Sequence, residues 1–172
     1  MRITAEHGDI TTVEADAIVN AANSVLLGGG GVDGAVHRAA GPRLLEACRG
    51  LRRSTHRAGL MAGDAVATPG FDLPADWVIH TVGPNLHRGQ DDPALLASCF
   101  RRSLDVAADL GCRSVAFPAI SAGSYGWPTA EVARIAARTC REHDADPVER
   151  IRFVLFSEPL RQTFQDAIDE GR

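Results

Sequence analysis

The apolar residues of this chain alternate between two periods, and that alternation limits the fold more than any other feature. Short, partly β-branched runs at Arg2–His7, Asp16–Asn20, Asp64–Thr68, Trp77–Val82, Ser114–Pro118 and Ile151–Phe156 read as strands of a sheet core. One-faced helical segments lie among them. Asp92 followed by Pro93 reads as an N-cap with proline at the first helical position, after which Leu95, Leu96, Cys99, Phe100, Leu104 and Ala107 recur at helical spacing until Gly111. Pro128 opens a second such segment with Val132, Ile135, Ala136 and Cys140 on one face, and Pro159 opens a third with Leu160, Phe164, Ala167 and Ile168. Gly34–Ala40 reads as a shorter helix, and the polar stretch His87–Asp92 as a surface loop. Strands interleaved with amphipathic helices predict an α/β layered fold. A length of 172 residues is enough for a single domain, 1–172, with a sizeable core.

Composition narrows the function. All 18 basic residues are arginine, which excludes a P-loop of the GxxxxGK[ST] type, Schiff-base chemistry and a lysine base. A net charge of −4 with 5% aromatics lacks the basic stripe and stacking surface that polynucleotides demand, so no DNA partner is expected. No apolar run is long enough for a membrane span, and acids stand where a signal peptide would be apolar, so a cytoplasmic address is expected. Cys48, Cys99, Cys112 and Cys140 are widely spaced, with no CxxC pair or ligand spacing to a histidine, and read as reduced structural thiols with no metal site. No cofactor is expected, and the chain is expected to act as a monomer.

Two stretches bring unhindered backbone to strand ends. Gly28–Gly31 precede a helix start, where free N–H groups and the helix dipole favour an anion such as a diphosphate. Ser121–Gly126 does the same between a strand and the Pro128 helix. Either is also readable as a tight strand-to-helix turn. Gly29, Gly31 and Gly34 satisfy GxGxxG, but the acid a dinucleotide fold needs about 20 residues later is replaced by Arg49–Arg53. Ala119–Gly123 approximates a nucleophile elbow, yet only His143 lies downstream, too near for a triad. Asp33, directly behind the glycines, fits a helix N-cap as well as a group that activates water or binds a ribose hydroxyl. Asp9 fits a turn residue as well as a ligand contact, and Asn23, at the end of the Asn20–Asn23 segment, can reach the same ligand. His37 and His80 stand in apolar elements and read as structural.

The segments GDIT (8–11), IVNAAN (18–23), GGGGVDGAVHRAAG (28–41), HTVGP (80–84) and FPAISAGSYGWP (117–128) together resemble the macrodomain family, in its MacroD-type branch, over nearly the whole chain. The resemblance implies a three-layer α/β/α sandwich around a mixed six-stranded sheet, with ADP-ribose bound at the strand ends. It also implies removal of ADP-ribose from Glu- or Asp-modified proteins and deacetylation of O-acetyl-ADP-ribose; the alternative is a non-catalytic reader of ADP-ribosylated proteins or a sensor of free ADP-ribose. By resemblance, Asp9 accepts the adenine amino group, Ile10 supplies a neighbouring N–H and Phe156 packs on the adenine. Asn23 holds the distal ribose, and the backbone of Gly28–Val32, including Gly30 and Gly31, joins Ser121, Ala122, Gly123, Ser124 and Tyr125 around the diphosphate and that ribose, with Tyr125 covering the sugar. Asp33 positions or activates the attacking water, so that Asn23 and Asp33 form the catalytic pair. The loop departs from the family's STG[VI][YF]GYP at Ala122, Ser124 and Trp127.

Overall fold

Alternating side chains of one sheet divide the interior into two cores. The computed structural model describes residues 1–172. Its strands are β1 (Arg2–His7), β2 (Ala17–Ala22), β3 (Ala65–Pro69), β4 (Trp77–Val82), β5 (Ser114–Phe117) and β6 (Arg150–Leu155), in the order β1-β6-β5-β2-β4-β3. Every neighbouring pair is parallel except β3 with β4, so the sheet is mixed and six-stranded. Ala17, Val19, Ile79, Phe117 and Phe153 point to one side, where α3 (Pro93–Asp109), α4 (Thr129–Glu142) and α5 (Glu158–Glu170) cover them. Ile18, Ala22, Val78 and Val82 point to the other, under α1 (Gly31–Ala40) and α2 (Pro42–Arg53). The result is an α/β/α sandwich with three helices on one face and two on the other. Phe100, Phe117, Phe153 and Phe164 interlock in the larger core, with ring centroids 5.1–6.3 Å apart.

Capping chemistry explains the helix boundaries. The Asp92 carboxylate accepts from Ala94 N at 2.9 Å and Pro93 follows it, while Gly111 takes φ +74° just past the end of α3. The Ser157 hydroxyl accepts from Leu160 N to cap α5, so this helix starts at Glu158, one residue before the proline. Two regions differ from the sequence reading. Helix α1 begins at Gly31, inside the glycine run, because Gly30 serves as its N-cap. The segment 42–53, which contains Arg49–Arg53, forms α2; it has only Leu44 and Cys48 buried and carries Gly50 within its span, so its apolar face is thin. All four cysteines are buried free thiols. No helix is long and apolar enough to cross a membrane.

Candidate active site

The strand order places an opening between β2 and β5. After β2 the chain passes to α1 on one face; after β5 it passes to α4 on the opposite face, so the two departing loops part and leave a crevice at the strand ends. A cleft of about 1070 Å³ occupies this place. Its walls come from the ends of all five parallel strands, from Gly8–Ile10, Asn23, Gly83, Ile120 and Phe156 among others. Gly29–Asp33 form one rim and Ser121 with Gly123–Tyr125 the other. No arginine lines it, and its acids are Asp9 and Asp33. An anion entering the cleft is therefore met by backbone N–H groups, chiefly the unpaired ones at the N-terminus of α1.

Close approach explains the glycines. A Cβ on Gly34 would lie 2.5 Å from the Gly29 carbonyl oxygen, so α1 can press against its own leading loop only with glycine there. A Cβ on Gly29 would stand 3.2 Å from both Asn23 Nδ2 and Asp33 Oδ2. These two side chains thus converge on one point of the rim, separated by no more than twice that distance. Asn23 Nδ2 donates to the Gly28 carbonyl at 2.9 Å, and its Oδ1 is buried without a partner. Asp33 is 5% exposed. Its Oδ1 accepts from Asn20 Nδ2 at 2.8 Å and lies 3.5 Å from His37 Nε2, one helical turn on. Oδ2 is left facing the glycine rim.

The opposite rim is held by its neighbours. Ser121 adopts φ +67°, unusual for a residue with a side chain, and its hydroxyl donates to the Pro84 carbonyl at 2.9 Å. Gly83 lies so close to that hydroxyl that a Cβ there would collide with it. The start of the segment expected as a plain surface loop, with Leu86 just before it, braces this rim: Leu86 N donates to the Tyr125 carbonyl at 2.9 Å, and the His87 ring lies against Gly126. Trp127 is 4% exposed and anchors the loop in the larger core.

At the far end, Asp9 caps a short 3-10 turn, Ile10–Thr12, its Oδ1 accepting from Thr11 N and Thr11 Oγ1. The turn role is therefore real, and Oδ2 remains without a partner. Ile10 is buried beneath it, and Phe156 is 75% exposed just past β6. Of the residues expected to contact the ligand, Gly28 and Ala122 are not on the cleft wall; Ala122 is half-buried on the back of its loop, against the larger core. His80 is buried and hydrogen-bonded, whereas His37, read as structural, approaches Asp33. Asn20 was not singled out at all. Its signal was a polar residue at the inward position between Ile18 and Ala22 on β2.

The macro domain family model matches residues 19–136. The chain is 56% identical over 161 residues to a macro domain-containing protein of Streptomyces griseus, covering 94% of this chain and 91% of that protein. It is 51% identical over 168 residues to a protein of Citrobacter rodentium named O-acetyl-ADP-ribose deacetylase, covering 95% and 93%. Its fold superposes on that of a variant of the Oceanobacillus iheyensis macrodomain with ADPR at a TM-score of 0.89 and 41% identity, covering 98% and 90% of the two chains. The protein belongs to the macro domain family.

Proposed function

We propose that the cleft binds ADP-ribose and that the protein hydrolyses esters at its distal ribose, releasing Glu- or Asp-linked ADP-ribose from modified proteins and acetate from O-acetyl-ADP-ribose. The observation that carries this reading is the convergence of Asn23 and Asp33 at the glycine rim. The adenine lies between Phe156 and Ile10, with its amino group toward Asp9 Oδ2. The diphosphate lies between the two rims on backbone N–H groups, and the distal ribose ends beside Asn23. The Oceanobacillus structure with ADPR and the name of the Citrobacter relative support the ligand and the reaction.

In the reaction on a Glu- or Asp-linked ester, the water oxygen bonds to the ribose carbon that carries the ester, one proton passes to Asp33 Oδ2, and the bond from that carbon to the leaving carboxylate breaks. On O-acetyl-ADP-ribose the water oxygen bonds to the acetyl carbonyl carbon, one proton passes to Asp33 Oδ2, and the bond to the ribose oxygen breaks as that oxygen takes the proton from Asp33. A carboxylate leaves without prior protonation, and the ribose oxygen receives the proton that Asp33 took from water, so one carboxylate and one positioned water suffice for either ester. A purely binding module would need the cradle alone. A carboxylate buried beside an anion site is electrostatically costly there, and Asp33 is held in place by Asn20 at that cost.

The test is release of label from Glu-linked and Ser-linked ADP-ribosylated proteins side by side. Release from the Glu-linked substrate alone is expected, because the serine acetal has a much poorer leaving group. Comparable release from both would overturn the ester specificity, and binding without release would leave a reader.

A further inference from the structure

Beneath Asp33 runs a buried polar chain whose inner members take no part in the reaction as written above. Asn20 on β2 and His80 on β4 stand opposite one another in the parallel register, both on the α1/α2 face. Asp33 accepts hydrogen bonds only, so the atom of Asn20 that lies 2.8 Å from it is the amide nitrogen. The same nitrogen lies 3.2 Å from His80 Nδ1. Nδ1 must then be the unprotonated acceptor, and the ring hydrogen sits on Nε2, 2.9 Å from Thr68 Oγ1 on β3, which receives it. Asn20 Oδ1 has no partner, so the amide is held through its two N–H groups alone.

One histidine tautomer satisfies the chain. The other sets N–H against N–H and favours turning the Asn20 oxygen toward the Asp33 carboxylate. The remaining groups near the ring are Cys48 Sγ from α2, at 3.9 Å, and His37 from α1. Burial first, and His37 second, push the His80 pKa down to about 3, which keeps the ring neutral.

We propose that His80, backed by Thr68, is a positioning residue for the hydrolysis: its Nε2–H tautomer fixes the Asn20 amide, which holds Oδ1 of Asp33 and so leaves Oδ2 aimed at the water. This rests on the hydrolase reading. Its test uses His80→Leu, His80→Asn and Thr68→Val in the full chain. Asparagine returns an acceptor near the Nδ1 position and leucine returns none.

With O-acetyl-ADP-ribose as substrate, His80→Leu should lose about tenfold or more in kcat, while KM and the calorimetric Kd for ADP-ribose stay within about threefold. His80→Asn should recover most of kcat. Thr68→Val should fall between them. Nitrogen NMR of the His80 ring in the wild-type protein should show Nδ1 bare and Nε2 protonated from about pH 5 to 8.

A folded His80→Leu with unchanged kcat, or a His80→Asn as slow as His80→Leu, would overturn the proposal. If His80→Leu does not fold, Thr68→Val and the ring spectrum decide: unchanged kcat in Thr68→Val, or hydrogen on Nδ1, overturns it. The expected tautomer in a wild-type protein without turnover would remove the reaction and leave the hydrogen-bond chain intact. The opposite tautomer with normal turnover would remove the positioning role and leave the reaction.

Discussion

His80 is the residue whose own chemistry the fold alters most usefully. Its ordinary pKa of 6.5 falls to about 3 because the ring is 1% exposed. The unfolded chain therefore binds a proton between those values that the native protein refuses. The stability that the neutral ring contributes is fully present above pH 6.5 and is lost as pH falls from 6.5 toward 3. The slope from this one group approaches about 1.4 kcal/mol per pH unit. The four buried thiols behave in the opposite sense: burial raises Cys48, Cys99 and Cys112 from 9.0 to about 11 and Cys140 further, so their contribution falls away as pH rises past 9.0. Urea midpoints measured across pH should hold a plateau between these limits. In His80→Asn the acid fall should be shallower; an unchanged acid slope would mean that the ring takes up its proton in the native state without penalty.

Among the elements, α1 decides the site, since its first turn supplies both the anion-facing N–H groups and Asp33. Gly34 lets that turn sit against the Gly29 carbonyl. Gly34→Ala should cost about 1–3 kcal/mol by overpacking and weaken ADP-ribose binding, because the rim must move away to make room. Chemical denaturation and calorimetry on this variant check both effects, and unaltered affinity would separate the rim from the ligand.

Strong local signals made most elements readable without coordinates. The Asp92-Pro93 start and Gly111 stop mark α3 to its boundaries, and the strands fall within two residues of their apolar runs. Helix α2 escaped notice because two buried residues make no periodic pattern, and the start of α1 did because glycine has weak helix preference. At the site, Asn23 and Asp33 are individually ordinary residues, and only the resemblance of the five motifs to the macrodomain family pointed to a function. Asn20 and His37 could not be read, since which polar groups meet across strands and helix turns depends on register and packing. Ala122 shows the converse: its position within the motif does not reveal which side of the loop its side chain takes.

At the scale of the whole molecule, one topological fact organises the rest. The chain leaves β2 for one face and β5 for the other, opening a cleft with the N-terminus of α1 at one rim and, beside it, the carboxylate of Asp33, the base of the proposed reaction. The proposed function assigns binding and chemistry to different atoms, and a single substitution can separate them. The decisive measurement is kcat for acetate release from O-acetyl-ADP-ribose, taken with the calorimetric Kd for ADP-ribose on the same preparations of wild-type protein and Asp33→Asn. The predicted result is a fall in kcat of about 10²- to 10⁴-fold, the usual worth of a general base, with Kd changed by no more than a few-fold. Undiminished turnover in the variant, or a loss of binding as large as the loss of turnover, would contradict it.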